Sequence, residues 1–110
     1  MGWLPRVIGR RGNRPGTLRT ADSQDFAHLR DFLQSRDGVE AYFEPRTTVT
    51  DATVVLVAST GEWTRRRIGS LDDAQSFAKK NAIPLYDAAK VGYPQRMREW
   101  TRQRKAAEGG

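Results

Sequence analysis

Residues 52–68 read ATVVLVASTGEWTRRRI, and this stretch decides the fold. Residues 52–58 form a β-branched run without alternation, which predicts a strand that is covered on both faces or lies centrally in a sheet. A tight connection follows, and its Gly61 supplies a positive φ. The next run, residues 62–68, alternates with a period of two and predicts the partner strand of a hairpin. One face of that strand carries Trp63, Arg65 and Arg67, and the other carries Thr64, Arg66 and Ile68.

Upstream of the hairpin the sequence predicts one helix and one strand. Apolar residues recur at helical spacing over residues 21–36, and Asp22 or Ser23 is a suitable N-cap. Gly38 then supplies the left-handed residue that commonly ends a helix. Over residues 39–43 the period changes to two, which predicts a strand with one face on a core.

Downstream of the hairpin the sequence predicts a second helix, a short extended segment and a third helix. Ser70 and Asp73 form an acidic capping box, and Asn81 is expected to close the second helix in the left-handed conformation. Residues 83–86 are expected to add an edge strand. Pro94 suits the first turn of the third helix.

Together these elements predict an α+β fold: a small antiparallel sheet of three to four strands with helices packed on one face, in the order α-β-β-β-α-(β)-α. A chain of 110 residues is expected to form a single domain, which we place at residues 21–105. Residues 1–20 are expected to be a flexible basic arm, and residues 106–110 a disordered tail. Only about 75 residues then build the core, a size at which a homo-oligomer is a reasonable expectation.

The composition argues against several classes of function. The chain has no cysteine and a single histidine, His28, so disulfides, thiolate catalysis and zinc fingers are excluded and a catalytic histidine lacks partners. The mean hydropathy is −0.72, and no apolar run approaches the roughly 20 residues of a membrane helix. We therefore predict no catalytic residue, no metal and no cofactor, and we expect a cytoplasmic location. An enzyme that uses tyrosine or carboxylate with a bound cofactor is the third-ranked hypothesis.

Charge is segregated along the chain. The net charge of +6 divides into +5 over residues 1–20, −4 over residues 21–60 and +5 over residues 61–110. Arginine accounts for 15 of the 19 basic residues, and its planar guanidinium binds phosphate in a bidentate manner. This asymmetry indicates contact with an anionic surface, although an ordinary solvated surface explains the same charge equally well.

Three arginine clusters are the candidate polyanion-binding residues, on the hairpin, the third helix and the N-terminal arm. They are Arg65, Arg66 and Arg67; Arg96, Arg98, Arg102 and Arg104; and Arg10, Arg11 and Arg14. The tryptophans are candidate stacking rings or partner anchors, namely Trp63, Trp3 and Trp100. A competing interpretation packs Trp63 under a helix and pairs the hairpin arginines with nearby carboxylates, namely Asp72, Asp73 or Glu44.

The leading prediction is a non-enzymatic, small basic binding module that contacts a polyanion, with RNA or DNA backbone as the favoured partner. The alternative is a protein–protein interaction module or a small accessory subunit of a larger assembly. In that case an acidic protein is the partner and charge only steers association.

Two resemblances bear on these hypotheses. The order of helix, three strands and helix resembles a double-stranded-RNA-binding domain. That family has lysines at the start of its second helix, where this chain has Asp72 and Asp73, and here Lys79 and Lys80 stand at the end of the helix. Residues 54–81 are similar to the closing segment of an accessory subunit of respiratory complex I. Neither resemblance assigns a role to a residue of this chain.

Overall fold

A computed structural model describes residues 22–109. In this part of the chain the elements are α1 (Ser23–Ser35), β1 (Glu40–Glu44), β2 (Thr53–Val57), β3 (Trp63–Arg67), α2 (Leu71–Lys80), β4 (Leu85–Asp87), α3 (Ala88–Val91) and α4 (Gln95–Gly109). The predicted arm, with Trp3, Arg10, Arg11 and Arg14, lies outside the described residues.

The strands form one four-stranded sheet in the order β3-β2-β1-β4. β2 pairs antiparallel with both β1 and β3, as the hairpin pattern predicts. β4 pairs parallel with β1, with Leu85 opposite Ala41, so the sheet is mixed rather than purely antiparallel. The reason is the connection: α2 carries the chain from β3 at one edge to β4 at the other, so β4 enters in the direction of β3 and β1. The α+β class and the number of strands are confirmed.

Both faces of the sheet are covered by helices. On one face Phe32 of α1 and Phe77 of α2 pack against side chains that include Val54. On the opposite face Met97 of α4 packs with side chains that include Val55. The predicted one-face arrangement therefore applies to α1 and α2, whereas α3 and α4 lie on the other face. The β2 run explains this, because its apolar side chains point alternately to both faces and each face must be buried.

Local signals set the ends of the first two helices. The Asp22 side chain accepts from the backbone N–H of Asp25 at 3.0 Å, and the Asp25 side chain accepts from that of Asp22 at 3.2 Å. This reciprocal capping box satisfies two otherwise unpaired donors. Ser70 caps α2 by accepting from the backbone N–H of Asp73 at 3.1 Å. Gly38, with φ of 62°, follows the end of α1 in the left-handed conformation that was predicted for it.

The prediction of a disordered tail is wrong over residues 106–109, which belong to α4. Alanine and glutamate are good helix formers, and Arg104 pairs with Glu108 one turn later, with Nη2 and Oε2 3.2 Å apart. All side chains of residues 102–109 are exposed. The last two turns of α4 therefore project beyond the core.

The prediction that Asn81 takes the left-handed conformation is also wrong, because Ala82 does so instead. Asn81 has φ of −101° and its Nδ2 donates to the Phe77 carbonyl at 2.8 Å, which holds it at the helix end. Ala82 has φ of 55° and is exposed. A Cβ in this region costs about 1 to 2 kcal/mol per residue.

We expect Ala82→Gly to raise the free energy of unfolding by about 0.5 to 1 kcal/mol, because glycine removes that strain. The net effect is smaller than the strain itself, since glycine also increases the conformational entropy of the unfolded chain. Urea unfolding followed by circular dichroism measures the change. Gln75→Gly, at an exposed position inside α2, is the control and is expected to lower stability by about 1 kcal/mol. A loss of stability in Ala82→Gly would contradict the assignment of strain to this residue.

Candidate anion-binding surface

The three consecutive arginines lie on β3, which forms one edge of the sheet. Each approaches a carboxylate: Arg65 to Glu44 at 2.7 Å, Arg66 to Asp25 at 3.8 Å, and Arg67 to Asp25 at 3.8 Å and Asp51 at 4.0 Å. Consecutive charges on an edge strand also discourage pairing with the strand of another molecule. The hairpin arginines are therefore engaged with acids of their own domain, and Arg65 has the Glu44 partner that the competing interpretation named.

Glu44 is the centre of a side-chain network on the α4 face of the sheet. Its carboxylate accepts from Nε and Nη2 of Arg65 at 2.7 and 3.0 Å, from Oγ1 of Thr53 at 2.5 Å, and from the hydroxyl of Tyr93. Burial acts to raise the pKa of Glu44, but the hydrogen bonds from these three donors outweigh it and hold the pKa below the ordinary value of 4.5. The carboxylate is thus ionised at neutral pH and ties β1, β2, β3 and the segment just before α4 together.

Glu40, on the same face of β1, anchors the first turn of α4. Arg96 Nη2 donates to Glu40 Oε1 at 2.7 Å, and Arg96 Nε donates to the Ala58 carbonyl at 2.9 Å. The Tyr42 hydroxyl donates to the same Glu40 oxygen at 2.9 Å. Burial, helped by Glu40, raises the pKa of Tyr42 to about 12, so this donor keeps its proton at neutral pH. Arg96 is therefore half-buried and positions α4, rather than facing solvent.

Gly61 is the point at which the β2–β3 turn touches α4. It is buried and has φ of 96°, and a Cβ added there would lie 2.2 Å from the carbonyl oxygen of Arg96. A side chain cannot be accommodated at this distance because the nearest atoms are backbone. The glycine that the sequence predicts for the turn thus also permits the helix to dock.

The outward side of α4 carries three cations, which we call the basic stripe: Arg98, Arg102 and Lys105. At about 100° per residue they fall within roughly 60° of one another, on a side of the helix turned away from the buried Met97. All three are exposed, and none forms a hydrogen bond or an ion pair within residues 22–109. Their backbone positions are about 6 and 4.5 Å apart along the axis. The stripe is a compact positive surface whose cations form no ion pair with the described residues.

Both described tryptophans are half-buried and carry a guanidinium on the ring. Trp63 packs against the core of the α4 face, its Nε1 donates to Oγ1 of Thr101 at 2.8 Å, and Cζ of Arg65 lies 5.2 Å from its ring centroid. Cζ of Arg104 lies 5.2 Å from the ring centroid of Trp100. Arg104 is thereby turned toward the inner side of α4 and does not join the basic stripe.

His28 links α1 to the edge strand and lines a cavity of about 190 Å³ between them. Its Nδ1 lies 3.2 Å from Nη2 of Arg66, and its Nε2 lies 2.6 Å from Oγ1 of Thr64. Because a guanidinium only donates, Nδ1 is the acceptor and Nε2 donates to Thr64. Both ring nitrogens therefore form hydrogen bonds that link α1 to β3. Within residues 22–109 no group of three histidine, aspartate or glutamate side chains is placed to hold a metal ion.

The structure thus separates the predicted arginines into two sets. Arg98 and Arg102 have no partner within residues 22–109, whereas the other five described arginines of these clusters have acidic or aromatic partners, namely Arg65, Arg66, Arg67, Arg96 and Arg104. Lys105 was not among the predicted binding residues, although it lies seven residues after Arg98 and three after Arg102, a spacing that places the three on one side of a helix. It also gave no role to Glu40, although alternation places Glu40, Tyr42 and Glu44 on one face of β1.

Comparison with protein-family models, with curated proteins and with solved structures produced no match to this chain. In the part of the chain that the structure describes, no helix is both long and apolar enough to cross a bilayer.

Proposed function

We propose that this protein is a small binding module that contacts the backbone of a nucleic acid through the basic stripe of α4. The observation that carries the proposal is that three exposed cations without a described acidic partner lie on one side of a single helix. Arg98, Arg102 and Lys105 are exposed and without an acidic partner in residues 22–109, while the hairpin arginines face Asp25, Glu44 and Asp51.

The spacing of the stripe suits a run of phosphates. Its cations recur over about 10 Å of helix, and long flexible side chains adapt to phosphate groups at this scale. Each phosphate that is neutralised releases condensed counterions, so such contacts are favourable at low salt and weaken as salt is added. Contacts of this kind orient a protein on a nucleic acid but carry no sequence information directly.

The networks of Glu40 and Glu44 serve this function indirectly. They attach Arg96 and Tyr93 to the sheet, so the first turn of α4 is held firmly while its later turns project. A helix held in this way presents its cations with little additional ordering cost, and preorganisation of this kind favours affinity. The acidic residues of the domain thus neutralise the inner arginines and leave the outer cations available.

We expect the variant Arg98→Gln/Arg102→Gln/Lys105→Gln to lose most of its nucleic-acid affinity at about 50 mM salt. Fluorescence anisotropy with labelled nucleic acid, repeated over a range of salt concentrations, measures both affinity and salt dependence. The slope of log K against log salt is expected to become shallower by about 2 to 3, since each contact contributes roughly 0.7 to 0.9.

The matched control is Arg30→Gln/Arg46→Gln/Lys79→Gln, which removes the same charge from exposed positions on three other parts of the surface. It is expected to change the slope by less than about 1, because it alters only the general field of the protein. Equal losses in the two triple variants would mean that net charge, and not the basic stripe, is responsible. Absence of binding by the unaltered protein at low salt would overturn the proposal.

A further inference from the structure

The projecting end of α4 has a shape that narrows the choice of nucleic acid. Residues 102–109 form about 12 Å of helix whose side chains are all exposed, so every side of it is open. The side facing away from the core carries small residues beyond the basic stripe, with Ala106 nearly opposite the position of Met97. A helix has a diameter of about 10 to 12 Å, which is the width of the major groove of B-form DNA.

From this shape we infer that the nucleic acid is double-stranded DNA, and that the projecting turns of α4 enter its major groove while Arg98, Arg102 and Lys105 contact the phosphates of the groove walls. The inference rests on the proposed function. Double-stranded RNA fits less well, because the major groove of an A-form helix is deep and too narrow for side chains to read.

The aromatic residues also argue against a single strand. Proteins that hold single strands stack unpaired bases on exposed rings. Here Trp63 donates a hydrogen bond to Thr101, and its ring is covered by the guanidinium of Arg65. The ring of Trp100 is covered by the guanidinium of Arg104. Among the large apolar side chains exposed within residues 22–109, the one aromatic is Tyr86, which lies at the β4 edge of the sheet. The basic stripe therefore provides cations that can bind phosphate, but no exposed aromatic ring of the described residues lies beside it for a base to stack on.

The two acidic residues of α4 lie on different sides of the helix. Glu108 is paired with Arg104, on the same side of the helix as Met97. Glu99 is exposed and accepts a hydrogen bond from Nε2 of Gln95 at 3.2 Å, and its helical position places it on the outward side, three residues before Arg102 and seven before Ala106. It precedes the projecting turns at residues 102–109, whose one carboxylate is Glu108. The end of the helix that would enter the groove thus has a net positive outer side.

Anisotropy titrations of the full chain with three labelled probes of the same sequence test the inference: a DNA duplex of about 20 base pairs, the single DNA strand and the corresponding RNA duplex. We expect the DNA duplex to bind about tenfold or more tightly than either of the others. Equal or tighter binding of the single strand or the RNA duplex would overturn the choice of DNA but leave the proposed function standing. Absence of salt-dependent binding to all three would overturn both.

A single substitution tests the placement of the helix in the groove. Ala106→Glu introduces a carboxylate that would face the DNA and is expected to weaken duplex binding about tenfold, while circular dichroism shows the helix intact because glutamate is a good helix former. Gln75→Glu, at an exposed position on α2, makes the same change in charge and is expected to weaken binding less than about twofold. Equal effects of the two substitutions would overturn the groove placement.

Discussion

Gly61→Ala is expected to lower the free energy of unfolding by about 3 kcal/mol. Two costs combine at this position. A residue with a Cβ pays about 1 to 2 kcal/mol in the left-handed region, and overpacking adds about 1 to 3 kcal/mol. The Arg96 carbonyl carbon and oxygen would lie 2.8 and 2.2 Å from the new atom, and neither is the end of a flexible side chain that can move aside.

The way in which Gly61→Ala relieves this clash is itself measurable. We expect the first turn of α4 to move away from the β2–β3 turn. This movement would lengthen the hydrogen bond from Arg96 Nε to the Ala58 carbonyl. It would also alter the surroundings of Trp100, whose Cβ lies 3.0 Å from the added methyl. Denaturant unfolding gives the change in stability, and tryptophan fluorescence of the folded protein reports the altered docking.

Gly109→Ala is the matched control, because an added Cβ there meets nothing within 4 Å. It is expected to leave stability unchanged or slightly higher, since alanine is the better helix former. Stability of Gly61→Ala within about 0.5 kcal/mol of the unaltered protein would contradict the close approach of the turn to α4.

Much of the fold follows from local sequence signals. The buried run of β2, the alternation of β3 and the caps at Asp22 and Ser70 each predict the element that the structure contains. The parallel pairing of β4 and the position of α4 were beyond these signals. Both depend on where α2 crosses the sheet, and a strand of three residues such as Leu85–Asp87 carries no readable period. α3, with four residues, is too short for a periodic pattern as well.

The candidate site shows the same division between local and long-range information. Helical spacing places Arg98 and Arg102 on one side of α4, so the unpaired set was within reach of the sequence. Which arginines are neutralised was not, because the partners are far away in the chain: Glu40 lies 56 residues before Arg96, and Glu44 lies 21 residues before Arg65. Charge counts along the sequence treat paired and unpaired arginines alike, and only the tertiary fold distinguishes them.

Glu44→Gln is expected to lower the free energy of unfolding at neutral pH by about 2 kcal/mol, the second large effect. The substitution keeps the size of the side chain but removes the charge that Arg65, Thr53 and Tyr93 share. Hydrogen bonds to a charged group are worth about 1.5 to 3 kcal/mol, and the exposure of Arg65 keeps the loss in the lower part of that range. Chemical denaturation of the two proteins in the same buffer measures the difference.

The effect of this substitution should depend on pH with a definite sign. The native pKa of Glu44 is lower than the ordinary value of 4.5, so between the two values the unfolded chain binds more protons than the folded one. The stabilisation by Glu44 is therefore fully present above about pH 4.5 and is lost as the pH falls through the native pKa. We expect the difference between the unaltered protein and Glu44→Gln to be constant near neutral pH and to shrink in acid.

Glu62→Gln separates this effect from that of a carboxylate held by a single arginine. Glu62 also accepts two hydrogen bonds from a single arginine, Arg36, at 2.6 and 3.1 Å, but the two side chains are 34% and 33% exposed. Glu62 binds a single donor side chain, so this control should cost clearly less than Glu44→Gln. Glu44, with 20% of its side chain exposed, binds donors from three different segments and so holds α4 to the sheet. Equal losses in the two variants would show that the Glu44 network stabilises the domain no more than a pair with one arginine does. The attachment of α4 would then have to come from the contacts of Arg96 and Gly61 alone.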